Sequence, residues 1–307
     1  MKISTSQMFD NSVTQMNRQQ AKVAEMQAKL ASGKQLINAS DDSEKSNVIQ
    51  RLKSAMSRND MYEKTLDRAD NRLAAEESAL ISAENILQRI RQLAVSGNTD
   101  TLSISEKEII AGEINSLSEE LLSLANTKDA NGNYVFAGSS VDSEAFALDD
   151  NGVIVYQGDK TQTSVDVSDQ RSLVLNRPGD EVFISVDRLA DDGEITKIGF
   201  FEMLSDFTAA LTEDNDTNLA RGLEEITTVT ENISMSLADL GSRMNTVGTQ
   251  RDILEDTKMR YQDLLSNEED LDYASAVTKL SAELLSLEAA QASFAKISQL
   301  SLFNYLR

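Results

Sequence analysis

Apolar residues return at seven-residue or four-three spacing along four stretches of this chain, and that repeat commits a sequence to long helices packed along a seam. Phe9, Met16, Val23, Leu30 and Ile37 form the first series, and Leu52, Asn59, Leu66, Leu73, Leu80 and Leu87 the second. The third runs through Leu223, Ile226, Ile233, Leu237, Leu240, Met244, Val247, Leu254 and Tyr261, interrupted by the polar Thr230, Arg251 and Lys258. Tyr273, Val277, Leu280, Leu284, Leu287, Gln291 and Phe294 make the fourth. At 1.5 Å per residue the second pattern, residues 43–96, predicts a helix of roughly 80 Å, far longer than a globular core requires. A single proline, Pro178, in 307 residues leaves such helices uninterrupted. Asn59 in a seam position fixes register at some cost in stability.

The breaks between these stretches carry local signals. Gly33 stops the first helix. The turn NASDD follows, with Asp41 and Glu44 as a capping pair for the next helix, and GNTDTLS ends that helix in turn. Ser105 with Glu108 has capping-box spacing ahead of the stripe Ile110, Ile114, Leu117, Leu121 and Leu124. From Asn131 the period changes. Residues 134–136, residues 153–155 after the turn Asp150-Asn151-Gly152, Val165 with Val167, Leu173 with Leu175, and residues 182–186 read as short strands, with Pro178-Gly179 as one more turn. Helix resumes near Gly199, with later breaks at residues 213–218 and at SNEED.

The fold class expected is mainly α with a small inserted β domain (α+β). Both chain ends contribute to one long antiparallel helical bundle or coiled coil, and the β domain projects from its far end. The domains expected are 1–42 with 266–307 as the inner coiled coil, 43–130 with 199–265 as the helical bundle, and 131–198 as the β insert. Leu66, Leu73, Leu80, Leu87, Leu117, Leu121, Leu237, Leu240, Met244 and Leu254 are the expected bundle core. The two terminal segments have a second stripe that is partly polar or alanine-rich, with Ala274, Ala276, Ala289, Ala290, Ala292 and Ala295 permitting close approach from several sides. A helix touched on several faces suits a polymer interior.

Histidine, cysteine and tryptophan are absent, which removes His-based triads, thiol nucleophiles, redox dithiols and thiolate or imidazole zinc sites. With 51 acidic and 29 basic side chains the net charge is -22, which repels nucleic-acid phosphates and anionic lipid, so neither nucleic acid nor membrane is an expected partner. The surplus reads as a solvated outer surface. No secretory signal and no apolar run of about 18 residues is visible. Asp41-Asp42 and Asp149-Asp150 are turn or cap residues in preference to metal or acid-base pairs. Asp214, Asp216, Asn218 and Glu225 reproduce calcium-loop spacing, yet Leu219 occupies the position where that loop needs glycine, so a capped polar connection is the better reading. No catalytic residue, cofactor or metal is expected.

Three segments resemble the bacterial flagellin family of axial proteins. LASGKQLINASDD is similar to the signature after the first flagellin helix, ILQRIRQLAVSGNTDTLS to the segment closing the second, and EEDLDYASAV to the acidic turn before the final helix. Within that family MKISTSQMFDNSV, GNYVFAGS and LSLFNYLR are closer to the hook-filament junction type than to filament flagellins. Ser43 stands where many junction proteins have proline, and the final Leu-Arg is flagellin-like, so a flagellin remains the alternative, and an unrelated cytoplasmic coiled-coil scaffold a more distant one. The resemblance implies a non-enzymatic, extracellular adaptor between the first hook-associated protein and the flagellin filament, assembled with copies of itself in a ring or short helical layer. It implies export by the flagellar type III apparatus and a cytosolic export chaperone covering Leu280, Leu284, Leu287 and Phe294. The assembly seam it implies is Phe9, Met16, Val23 and Leu30 with Leu280, Leu284, Leu287 and Phe294.

Overall fold

The structure, a computed structural model, describes residues 2–99, 102–150, 152–189, 195–213 and 215–303. Asp100 and Thr101 of the expected break, Asn151 of the expected turn, Asp214 of the acidic set and the last four residues of LSLFNYLR lie outside the described residues. The chain divides into two compact units, one of Met1–Arg58 with Asp256–Arg307 and one of Asn59–Glu255.

Unit 1 is built on α1 (Lys2–Ser32) and α7 (Tyr273–Phe303), with the first part of α2 (Ser43–Gly97) and the last part of α6 (Asp216–Glu269). Gly33 ends α1 in the left-handed conformation, φ +70°, with its N–H donating to the Lys29 carbonyl at 2.9 Å. A Cβ there would also sit 2.8 Å from the Tyr273 hydroxyl. The cap of α2 is Asp42 and not Asp41: Asp42 Oδ1 accepts from the backbone N–H groups of Glu44 and Lys45, both at 3.1 Å. Asp41 instead accepts from the Asn38 N–H at 2.9 Å and closes the preceding turn. Asp272 caps α7, accepting from the N–H groups of Ala274 and Ser275.

In unit 2, α2 and α6 run antiparallel. Asn59 Nδ2 donates to the Leu254 carbonyl, Arg251 pairs with Asp67 and Asp70, Arg243 with Glu76, and the Ser234 hydroxyl donates to Glu84. Leu66, Leu73, Leu80 and Leu87 are fully buried at seven-residue intervals, with Ile226, Ile233 and Leu240 of α6 in the same core. Two more helices complete this core, α3 (Ile104–Ala125) and α5 (Phe200–Glu213). The capping box of α3 is Ser103 with Glu106, two residues earlier than the Ser105 and Glu108 expected from spacing. Both frames fit the motif locally; in the observed one the Ser103 side chain and the Glu106 carboxylate cap each other's backbone N–H groups.

Between α3 and α5 lie three separate two-stranded antiparallel hairpins: β1 (Phe146–Leu148) with β2 (Ile154–Tyr156), β3 (Ser164–Ser168) with β4 (Arg171–Val174), and β5 (Val186–Leu189) with β6 (Ile195–Ile198). Isolated hairpins are marginal in water. These share an aromatic core, in which Phe183 lies 5.5 Å from both Phe136 and Phe146, 5.3 Å from Phe200 and 6.4 Å from Phe201, ring centre to ring centre. Residues 134–136 form no strand: Tyr134 makes one bridge to Lys128, while Val135 and Phe136 are buried as irregular chain. Residues 182–186 divide between a single helical turn, α4 (Gly179–Val182), and the start of β5. The chain is therefore mainly α with a small β domain inserted between helices.

Candidate assembly surface on the terminal helices

The α1 and α7 helices pair antiparallel along their length. The rings of Phe9 and Phe294 are 4.8 Å apart, Gln19 donates to Glu283 and Lys22 approaches the same carboxylate, and the Gly33 carbonyl accepts from the Leu271 N–H at 3.0 Å. Two helices bury only the strip where they touch. Val23 is buried, and Met16, Leu30, Leu280, Leu287 and Phe294 are half-buried, whereas Phe9 and Leu284 are exposed. Leu284 is 39% exposed, Val277 51%, Leu285 68% and Met8 55%. Of the eight stripe residues, then, the pairing itself covers one and partly covers five.

Val277 and Leu284 are one heptad apart on the same side of α7, and Leu285 lies beside them. Among the described residues nothing lies over this strip deeply enough to remove it from water. Leu285 falls outside the four-three pattern, which is why spacing did not single it out. Apolar groups arrayed this way associate with another apolar surface, at about 25 cal/mol for each Å² taken from water.

At the other end of the pair a polar clamp ties the loops. Glu269 accepts from Lys34 Nζ at 2.5 Å and from Lys53 Nζ at 2.9 Å, and its carbonyl accepts from the Gln35 N–H at 2.8 Å. The hydrogen bond from Lys34, reinforced by Lys53, holds the Glu269 carboxyl below its ordinary value, and the same contact raises Lys34. Periodicity gives no sign of this clamp, because Glu269 stands 216 or more residues from its partners in the chain.

The remaining sequence candidates have ordinary partners. Asn215 Oδ1 accepts from the Asn218 N–H and caps α6, and Glu225 is held by Arg188 and Arg221, so the acidic set serves as a helix start and an ion pair. Asp149 Oδ1 accepts from the Val153 N–H in a turn. No group of three acidic side chains placed to hold a metal ion occurs among the described residues. Likewise no described helix is long and apolar enough to cross a membrane. In the bundle, Leu66, Leu73, Leu80, Leu87, Leu121, Leu240 and Leu254 are buried, and Leu117, Leu237 and Met244 are half-buried against them.

Residues 3–141 match the model of the bacterial flagellin N-terminal helical region. That stretch is similar to the flagellin N-terminal region. Over 99% of its length it is 27% identical to flagellar hook-associated protein 3 of Escherichia coli, of which it covers 99%. Its full length is 25% identical to flagellar hook-associated protein 3 of Salmonella typhimurium, covering all of that protein. The fold matches that of flagellar hook-associated protein-3 from Legionella pneumophila with a TM-score of 0.64 at 19% identity, over 71% of this chain and 98% of that one. The resemblance to the flagellin family drawn from LASGKQLINASDD and the two later segments is therefore shown, and it extends through the insert to both ends.

Proposed function

We propose that this chain is a structural subunit of the bacterial flagellum, acting as the adaptor between the first hook-associated protein and the flagellin filament. The observation that carries the reading is the exposed apolar strip on α7, on a chain similar from end to end to hook-associated protein 3. Neighbouring copies in a ring or short helical layer cover Phe9, Met16, Val23 and Leu30 of α1 together with Leu280, Leu284, Leu287 and Phe294 of α7. Residues 1–42 and 266–307 form the inner layer, 43–130 and 199–265 the bundle around it, and 131–198 the outer β domain. Burial of the strip by neighbours offsets the entropy of ordering the two terminal helices, so folding of the ends is completed by assembly. Export proceeds through the flagellar type III route, with an export chaperone masking Leu280, Leu284, Leu287 and Phe294 beforehand. The chemistry is that of a packing surface, without a catalytic step.

Immunogold electron microscopy of intact flagella, with antibody against the insert, tests the placement. A narrow band where hook meets filament supports the adaptor; label along the whole filament makes the chain a flagellin, and absence from the flagellum returns it to a coiled-coil scaffold. The variant Leu284→Asp tests the surface itself. It is expected to leave unit 2 folded and to abolish incorporation, and normal filament growth by that variant would refute the role of the strip.

A further inference from the structure

Among the described residues three charged side chains are buried, Glu76, Lys107 and Glu225, and Glu76 is the most deeply placed. Glu76 lies on α2 between Leu73 and Leu80, in the stripe that packs on α6, and it is 0% exposed. Its Oε1 accepts from Arg243 Nη2 of α6 at 2.9 Å, and among the described residues no group donates to its Oε2. Arg243 Nε donates to Asp239 at 3.0 Å, and the same carboxylate oxygen accepts from Arg177 Nη2 at 2.9 Å. Arg177 belongs to the insert, and its Nη1 donates to the Ser236 hydroxyl of α6 at 2.8 Å. One turn before Glu76, Arg72 reaches the entry to the insert, donating to the Val135 carbonyl at 3.1 Å and to Asp129 at 3.4 Å. Three arginines around one buried carboxylate thus connect α2, α6, the chain segment that enters the β domain and, through Arg177, the interior of that domain.

Stability does not account for a glutamate here. Burial pushes its carboxyl above the ordinary value of 4.5, against the opposing pull of Arg243, Arg177 and Arg72. A carboxyl whose folded value is raised contributes most below its unfolded value and loses that contribution as pH rises through the folded one, so placing the charge here costs stability. Replacing a buried ion pair by apolar side chains of similar volume is commonly neutral or stabilising. What apolar packing lacks is direction, and each bond of this network has a fixed geometry.

We propose that the Glu76–Arg243 pair, through Asp239 and Arg177, is an orienting joint that sets the angle of the β insert on the α2–α6 helices, at the expense of stability. Other ties between insert and helices include a hydrogen bond at the exposed edge, Tyr62 to Asp169 at 2.8 Å, contacts to backbone from Asn232 and Asn126, the Arg188 pairing with Glu225, and apolar packing of Phe136, Phe146 and Phe183 in the shared core. Apolar packing fills the core without fixing a direction, and the Glu76–Arg243 pair adds directed bonds there.

The chain has no cysteine, so Asp142→Cys in the insert and Asn245→Cys on α6 give two unique sites for spin labels. The pair distance is measured in the full-length chain and in the same chain with Glu76→Met and Arg243→Met. The joint requires the distance distribution to broaden about twofold while the unfolding midpoint holds or rises, since the apolar pair packs without fixing an angle. An unchanged width overturns the proposal, whatever the midpoint does. Should the double variant not fold, Glu76→Gln, which removes only the charge, is read with the same labels: broadening supports the joint and an unchanged width overturns it.

Discussion

Gly222→Ala and Gly248→Ala make the same chemical change at two points of α6 and are expected to move stability in opposite directions. Alanine is favoured over glycine inside a helix by about 1 kcal/mol. At Gly248 an added Cβ meets nothing within 4 Å, so that gain is realised in full. At Gly222 the Cβ would lie 2.4 Å from Cδ2 of Phe207 and 3.3 Å from its Cγ and Cε2. Phe207 is 2% exposed and sits in the α5 face that packs on the core, so its ring has nowhere to swing. Overpacking of this kind costs about 1–3 kcal/mol, which leaves a net loss of about 0–2 kcal/mol after the helix gain. The difference between the two variants is therefore about 1–3 kcal/mol and is independent of the helix term. Urea titration followed by far-ultraviolet circular dichroism measures it, and for a body the size of unit 2 each kcal/mol also shifts the thermal midpoint by about 2–4 °C. If Gly222→Ala stabilised the chain as much as Gly248→Ala, the seating of α5 against α6 at that glycine would be wrong.

Ser103→Ala is expected to lower stability by about 1 kcal/mol by removing the cap of α3, while Ser105→Ala, in the competing frame, stays within about 0.5 kcal/mol of the parent in the same titration. The Glu269 clamp gives a pH dependence. Its folded carboxyl value is lowered, so its contribution is fully present above the unfolded value of 4.5 and is lost as pH falls through the folded one; Glu269→Gln flattens that acid limb in a pH series of unfolding midpoints. Asn59→Asp replaces the amide donor facing the Leu254 carbonyl by a carboxylate in a buried site and is expected to cost about 1–3 kcal/mol at pH 7 by urea unfolding, recovering in part on acidification.

The helical frame was legible because it is written in one repeated distance: Leu66, Leu73, Leu80 and Leu87 stand seven apart and are all fully buried. The insert was legible as a change of period but not in its strands. Its interior is held by Phe136, Phe146, Phe183, Phe200 and Phe201, drawn from irregular chain, one strand and a helix start, so alternation marks few of them. The two S-x-x-E frames at Ser103 and Ser105 are equivalent in spacing, and the pattern alone does not say at which serine the helix begins. Glu76 was invisible for a similar reason. Glu76 and Glu77 are adjacent and chemically identical, and only the partner helix makes the first a core residue. In the terminal helices spacing marked Leu284, whereas the exposure of Leu285 next to it follows from which side of α7 the α1 helix takes.

The division into two units also divides the charge. Unit 1 holds 14 basic and 13 acidic side chains, while unit 2 holds 15 basic and 38 acidic, so almost the whole negative surplus belongs to one of the two bodies. Two copies approaching each other meet a mutual repulsion generated by unit 2, and none to speak of from unit 1. The range of that repulsion shrinks from about 30 Å at 0.01 M salt to about 8 Å at 0.15 M. Dilute buffer therefore keeps copies apart, and saline medium lets the near-neutral, apolar-striped unit 1 come within reach of its like: one half of the chain sets the distance at which copies meet, and the other half decides whether they stay.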